Sequence, residues 1–192
     1  MPFQQDVFTQ NQYYHIFNRG VNRQKIFFIK ENYFYFLKLL RKYSESSHAA
    51  VIAYCLMPNH YHLLLGQDSD ISISKFMNVL FSTYVQALNK QLARKGPLFE
   101  GRFKHINIEK DEYIIHLSRY IHLNPVNAGL VTAPDKWVFS NYRDWIGKRK
   151  GKLKDANFIS FYFASPEKYE KFVMDHKIDT ELRKRLEPYL LE

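Results

Sequence analysis

Two short apolar runs, AAVIAYCLMP at 49–58 and HYHLLLG at 60–66, constrain the fold of this chain more than any other feature. Runs of this length, separated by a Pro-Asn pair that favours a turn, predict two antiparallel strands joined as a hairpin. Side chains alternate between the two faces of a strand, so His60 and His62 project from one face and Tyr61 from the other. The sequence therefore places two imidazoles close together on one surface of a sheet.

Five further segments have the periodicity of strands or helices. In chain order they are a strand at 13–20, a helix from Lys30 that breaks at 44–47, a helix from Ser72 or Ser74 to Gly96, a strand at 101–109 and a helix from Asp111 that Pro125 ends. With the hairpin included, the order is strand, helix, strand, strand, helix, strand, and then one more helix. This order predicts an α+β fold of the ferredoxin-like, split βαβ kind, with an antiparallel sheet and an additional helix.

The 192 residues, 46% of them apolar, allow one domain with a sizeable core, or one domain plus an appendage. The appendage begins with a basic run, GKRKGKLK at 147–154, which suits either a solvated loop or a phosphate contact, and a final helix is predicted at 166–191. No stretch has the ~18 apolar residues of a membrane span, and the N-terminus lacks a signal-peptide pattern. We therefore expect a cytoplasmic protein with no membrane partner. Cys55, the single cysteine, is expected in the core.

The chain is basic, with a formal net charge of +9 that favours a polyanionic partner such as nucleic acid. The candidates for phosphate contacts follow the first strand or flank the fourth: Arg19, Arg23, Lys25, Arg94, Lys95, Arg102 and Lys104. Phe99 and Phe103 are interleaved with these charges, so they could stack on unpaired bases or pack in the core.

A lone histidine in a sheet is usually structural, but a pair on one face of a strand also suits a shared cation. Two imidazoles leave a divalent ion short of ligands, so a third protein group would have to approach from elsewhere. On the helix that starts at Asp111, His116, Tyr120 and Asn124 recur at intervals of four and share one face. The residue pattern leaves His116, His122 and Asn124 open as the third ligand and does not select Tyr120 among the 14 tyrosines.

Four segments, YHIFNRG, MPNHYHLLL, GPLFEGRFK and RYIHLNPVNAGLV, strongly resemble the REP-associated tyrosine transposases, a branch of the single-tyrosine HUH superfamily. The similarity spans roughly residues 13–145. It identifies residues 1–146 as an HUH transposase-like catalytic domain and 147–192 as a basic loop with a C-terminal helical extension. The HUH motif is a histidine, a hydrophobic residue and a second histidine on a strand, and Tyr61 occupies the middle place here.

The resemblance implies that His60, His62 and Asn124 bind a divalent metal, Mg²⁺ or Mn²⁺, and that Tyr120 is the nucleophile. It further implies cleavage and rejoining of single-stranded DNA at repeat hairpins through a 5′-phosphotyrosine, with one subunit or two. Two other functions fit the same residues: a non-catalytic nucleic-acid-binding module, and a metal-dependent phosphoesterase in which water attacks instead of the tyrosine.

Overall fold

The computed structural model describes residues 8–108, 110–153, 156–175 and Lys184. The helices and strands in chain order are β1 (Tyr13–Arg19), α1 (Lys30–Ser47), β2 (Ala49–Leu56), β3 (His60–Gln67), α2 (Ile73–Gln91), β4 (Lys104–Ile108), α3 (Asp111–Asn127), α4 (Tyr142–Trp145), α5 (Ala156–Tyr162) and α6 (Pro166–Met174). The four strands form one sheet in the order β2-β3-β1-β4, and every neighbouring pair is antiparallel. The predicted ferredoxin-like α+β fold with an additional helix is confirmed.

Each face of the sheet is covered by different helices. Tyr61, Leu63 and Leu65 of β3 lie in a core shared with α1 and α2. The opposite face, which carries His60 and His62, is covered by α3 and by apolar residues from 142–173. The hairpin register thus turns the two histidines towards the helix that carries Tyr120.

Several boundaries differ from the sequence prediction, and the first is that α1 continues through the predicted break at 44–47 and ends at Ser47. The predicted stop at Pro125 is wrong: α3 runs through it to Asn127, since the ring removes only one hydrogen bond in the last turn, and the left-handed Gly129 (φ 67°) follows. The second helix ends before Gly96, at Gln91, because Ala93 turns left-handed at φ 49°. Its predicted cap at Ser72 is confirmed, since the Ser72 hydroxyl accepts a hydrogen bond from the Ser74 amide.

The fourth strand is shorter than 101–109 and begins at Lys104. The residues before it bond to the end of β1 instead of extending the ladder. The Val21 amide donates to the Leu98 carbonyl oxygen at 3.0 Å, and the Glu100 amide donates to the Arg19 carbonyl oxygen at 3.0 Å. These bonds bring segment 98–103 beside the start of β3.

The turn between β2 and β3 is also bound to the end of β1. The amides of Gly20 and Ile26 donate to the carbonyl oxygens of Asn59 and Pro58, both at 2.8 Å. A Cβ atom at Gly20 would overlap the Gln24 carbonyl oxygen, so this close approach requires glycine. Three segments that are distant in sequence therefore meet next to His60.

The region after α3 contains short helices where the sequence predicted irregular chain. The final helix covers Pro166–Met174 with Asp175 as its C-cap, and the rest of its predicted continuation lies outside the described residues except for Lys184. Trp145 and Tyr169, on opposite sides of the 146/147 boundary, pack in the same apolar cluster on α3, with ring centroids 4.4 Å apart. The division at 146/147 stays a prediction.

The basic run at 147–154 is partly internal. Asp144 is buried, and its carboxylate accepts hydrogen bonds from Arg149 Nε at 2.9 Å, Arg149 Nη2 at 2.8 Å and the Gly151 amide at 2.9 Å. A Cβ atom on Gly151 would lie 2.5 Å from both carboxylate oxygens. The guanidinium of Arg149 therefore neutralises a buried acid, while about a third of its side chain (30%) stays exposed. No helix in the described ranges is long and apolar enough to span a membrane.

Candidate metal and nucleophile site

The amide of Asn124 on α3 lies between the two histidines of β3. Asn124 Oδ1 is 3.0 Å from His60 Nε2, and Asn124 Nδ2 is 3.4 Å from His62 Nε2. The two imidazole rings are nearly perpendicular, with centroids 5.2 Å apart. His62 is fully buried, Asn124 is 8% exposed and His60 is half-buried. Two ring nitrogens from a strand and one amide from a helix thus converge on one point.

His60 faces two carbonyl oxygens. Its Nδ1 lies 2.8 Å from Asn59 Oδ1, and the Asn59 amide is oriented by donation from its Nδ2 to the Arg23 carbonyl oxygen. A neutral imidazole has a single N–H, so it can donate to only one of Asn59 Oδ1 and Asn124 Oδ1. Burial lowers the pKa of His60, with a further contribution from the charge of Arg19, so the neutral form is favoured.

This arrangement fits a bound cation. With the proton on Nδ1, the Nε2 lone pair of His60 and the Asn124 oxygen point at each other as two acceptors, which a divalent ion would satisfy. Burial and the neighbouring imidazoles lower the pKa of His62 well below its usual value, so it too is neutral, as a metal ligand must be. No group of three or more His, Cys, Asp or Glu suited to a metal occurs within the described residues, so a site here needs the amide.

Tyr120 lies against one of the two histidines, His62. Its ring is edge-on to His62, with centroids 5.5 Å apart and an interplanar angle of 83°, and its side chain is half-buried. Asn124 follows Tyr120 by four residues and one helical turn, so both side chains project from one face of α3. A half-buried phenol ring is thus held against His62.

The other two histidines on α3 point elsewhere. His122 is fully buried, its Nδ1 2.6 Å from the Tyr169 hydroxyl and its Nε2 2.9 Å from Asn141 Oδ1. Burial lowers its pKa to about 4, which makes it a neutral structural residue. His116 contacts Arg119, with 3.1 Å between Arg119 Nη2 and His116 Nδ1. Of the three candidates for the third ligand, the structure brings only Asn124 to His60 and His62.

The predicted DNA-contacting cations differ in their surroundings. Arg23, Lys25, Lys95, Arg102 and Lys104 are exposed. Arg19 is opposite His60 in the β1–β3 register and forms an ion pair with Glu100, which raises the pKa of Arg19 and lowers that of Glu100. Arg94 is half-buried, 3.3 Å from Asn89 Oδ1 and over the Phe28 ring. Five of the seven side chains are therefore exposed.

Both aromatic residues proposed to stack on bases contact the core. Phe99 packs on Phe81 and Tyr61 at centroid distances of 5.0 and 5.9 Å, and Phe103 packs on Phe8 at 6.5 Å. Each keeps part of its surface exposed. Packing therefore accounts for most of the contacts of these rings.

One buried contact of the site was not expected from the sequence. His15 Nε2 on β1 is 3.0 Å from His62 Nδ1, and both imidazoles are fully buried. Residues 13, 15 and 17 share one face of β1, but which residue of β3 they meet depends on the register, and no pattern within either strand determines it.

Comparison with known proteins gives results that agree with this geometry. The family described as "Transposase IS200 like" matches residues 8–124, which include β1 to β4 and all four residues of the site. A curated Haemophilus influenzae protein named as a REP-associated tyrosine transposase is 25% identical over 123 residues, covering 54% of this chain and 70% of the relative.

A solved REP-associated tyrosine transposase, bound to a REP hairpin, superposes with a TM-score of 0.65. It covers 81% of this chain and 94% of the solved chain at 16% sequence identity, so the similarity shows a shared fold. Because the family match extends over more than half of the sequence, the chain belongs to the IS200-like transposase family, whose members are DNA strand transferases.

Proposed function

We propose that this protein is a metal-dependent transesterase that cleaves and rejoins single-stranded DNA at repeat hairpins through a 5′-phosphotyrosine intermediate. The observation that carries the proposal is the contact of the Asn124 amide with both His60 and His62, next to the Tyr120 ring. The name of the curated relative and the REP hairpin bound to the solved neighbour support hairpin DNA as the substrate.

His60, His62 and Asn124 would hold the metal through two ring nitrogens and one amide oxygen. When bound, the ion would polarise a non-bridging oxygen of the scissile phosphate and leave coordination positions for the substrate. Mg²⁺ prefers oxygen ligands, whereas two imidazoles suit Mn²⁺ better. We therefore expect activity with both ions and tighter binding of Mn²⁺.

Tyr120 would supply the nucleophile. Its hydroxyl oxygen attacks the phosphorus atom and gives up the phenolic proton, while the bond from phosphorus to the 3′ oxygen breaks. The electron pair of that bond leaves with the 3′ oxygen, which is protonated to a free 3′-hydroxyl. The other strand end stays on Tyr120 as a 5′-phosphotyrosine. Attack by a 3′-hydroxyl reverses the step and restores the phosphodiester, so rejoining needs no ATP.

The exposed cations would contact the DNA backbone. Arg23 lies in the loop that meets the β2–β3 turn, and Arg102 lies in the 98–103 segment bonded to the end of β1. Lys25, Lys95 and Lys104 add charge nearby in sequence, whereas Arg19 and Arg94 would first have to leave Glu100 and Asn89. We expect the protein to act on DNA in the cytoplasm.

A denaturing gel with labelled single-stranded hairpin DNA tests the proposal. With Mn²⁺ the label should migrate with the protein, and with EDTA it should not. Free cleaved strands without a protein adduct would indicate a phosphoesterase that uses water. Binding without cleavage at any metal concentration would indicate a non-catalytic DNA-binding module.

A further inference from the structure

We infer that His15 is a positioning residue for the metal site: it accepts a hydrogen bond from His62 Nδ1 and so directs the His62 Nε2 lone pair towards Asn124 and the cation. The metal itself belongs to the function proposed above, and the inference rests on that proposal. His15 lies outside the His-Tyr-His motif, on a different strand.

The geometry holds the two rings in one relative orientation. His15 Nε2 lies 3.0 Å from His62 Nδ1, and the rings are stacked with centroids 5.2 Å apart and an interplanar angle of 18°. In the β1–β3 register, His62 is directly opposite Phe17, and His15 is its diagonal neighbour. Phe17 packs on both imidazoles, with centroid distances of 4.9 Å to His15 and 6.2 Å to His62. Neither imidazole is exposed to solvent.

The contacts of the outer nitrogen of His62 determine which ring nitrogen carries the proton. The nearest partner of His62 Nε2 is the Asn124 amide nitrogen, which can only donate, at 3.4 Å. His62 Nε2 must therefore be the acceptor, and the single N–H of the neutral ring lies on Nδ1. That N–H points at His15 Nε2, which then acts as an acceptor. The same tautomer keeps a lone pair on Nε2, which could ligate a metal in place of its hydrogen bond from Asn124.

Removal of the His15 imidazole would change which ring nitrogen of His62 carries the proton. A buried N–H without a partner is unfavourable, so His62 would gain by moving its proton to Nε2, where it could not ligate a metal without first losing that proton. Partners that orient metal-bound histidines typically contribute 10–100-fold to metal affinity. We expect an effect of this size at His15.

The first test needs no metal. Long-range ¹H–¹⁵N correlation spectra of the histidine rings in the metal-free protein report which nitrogen of His62 is protonated. We expect Nδ1 in the wild type and a shift towards Nε2 protonation in His15→Phe. Protonation at Nε2 in the wild type would overturn the inference.

The second test measures Mn²⁺ affinity by calorimetry without DNA. His15→Phe keeps an aromatic ring but no acceptor, so its affinity should fall 10–100-fold. His15→Gln can place its amide oxygen near the former Nε2 and should stay within about threefold of the wild type if the acceptor is what matters. His122→Phe is the matched control, because His122 is also a fully buried histidine but bonds to Tyr169 and Asn141, and its Mn²⁺ affinity should not change.

Wild-type affinity in His15→Phe, or an equal loss in His15→Gln and His15→Phe, would overturn the inference. His60→Ala separates the inference from the function on which it rests. If His60→Ala binds Mn²⁺ as the wild type does, the proposed metal site is wrong. If His60→Ala loses Mn²⁺ and His15→Phe does not, the metal site stands and only the role of His15 fails.

Discussion

The most informative single change is Asn124→Ala, because it removes one amide that contacts both histidines. The two contacts are 3.0 Å to His60 and 3.4 Å to His62, and the side chain is 8% exposed. In the metal-free protein the His60 proton can lie on Nε2 and form a hydrogen bond to Asn124 Oδ1, and such a bond contributes about 1 kcal/mol to stability, while the contact at 3.4 Å contributes less. Alanine recovers up to about 0.7 kcal/mol through its higher helix propensity. The free energy of unfolding should therefore fall by only about 0.5–1 kcal/mol.

The expected effect on chemistry is much larger. Loss of a ligand that aligns the phosphate should reduce the cleavage rate at least about 100-fold, which corresponds to about 2.7 kcal/mol of activation free energy. For a chain of this size, the stability change shifts the Tm by only about 1–4 °C. The two effects differ enough to separate a loss of the site from a loss of the fold.

The assay is single-turnover cleavage of labelled hairpin DNA with Mn²⁺, together with thermal unfolding of the same proteins in EDTA, where bound metal does not add to the stability. Asn127→Ala is the matched control, since it changes the same residue type at an exposed position in the last turn of α3. Its cleavage rate should equal that of the wild type. If Asn124→Ala cleaves within about threefold of the wild type, the amide does not take part in the reaction and the reasoning is wrong.

Three other predictions concern separate parts of the molecule. Tyr120→Phe should abolish the covalent DNA adduct while Tyr113→Phe stays active, and mass spectrometry of the digested adduct should place the nucleotide on the peptide that contains Tyr120. Lys25→Ala should make the slope of log K against log[salt] shallower by about 0.7–0.9, where K is the binding constant for hairpin DNA. An unchanged slope would exclude a phosphate contact of Lys25. Because burial lowers the pKa of His122 to about 4, the unfolded state takes up its proton near pH 6.5 and the folded state only near pH 4. The contribution of His122 to the free energy of unfolding is thus complete above pH 6.5 and should decrease by about 3 kcal/mol as the pH falls to 4. Urea titrations at several pH values should show a weaker pH dependence of this free energy in His122→Gln.

Periodicity alone was sufficient to predict the strands and helices that position the site. The alternation HYHLLL determined the face of His60 and His62, and the interval of four residues put Tyr120 and Asn124 on one side of α3. Local rules were less reliable at the ends of elements. Pro125 was expected to end α3, but a proline in the last turn disrupts little when a left-handed glycine follows.

Long-range contacts could not be predicted from one sequence. The choice of Asn124 over His116 and His122 depends on how α3 is rotated against the sheet, and the meeting of His15 with His62 depends on the strand register. The environment of a charged residue, Arg149, could not be predicted from the sequence either. Its place in a basic run indicated an exposed residue. Its guanidinium instead binds the buried carboxylate of Asp144, which lies five residues away on a helix that the sequence did not predict.

The ion pair between Asp144 and Arg149 has a practical consequence for anyone who shortens this protein. A fragment that stops at residue 146 would keep the buried carboxylate but lose the guanidinium and the Gly151 amide that neutralise it. An unpaired buried charge of this kind typically destabilises a protein by about 3–5 kcal/mol, a large part of the stability of an average domain. A minimal catalytic fragment should therefore include Gly151, and it should also extend through α6, because Tyr169 and Val173 complete the apolar cluster on α3; chains that end at 146 or 151 should both give less soluble protein than chains that end at 175.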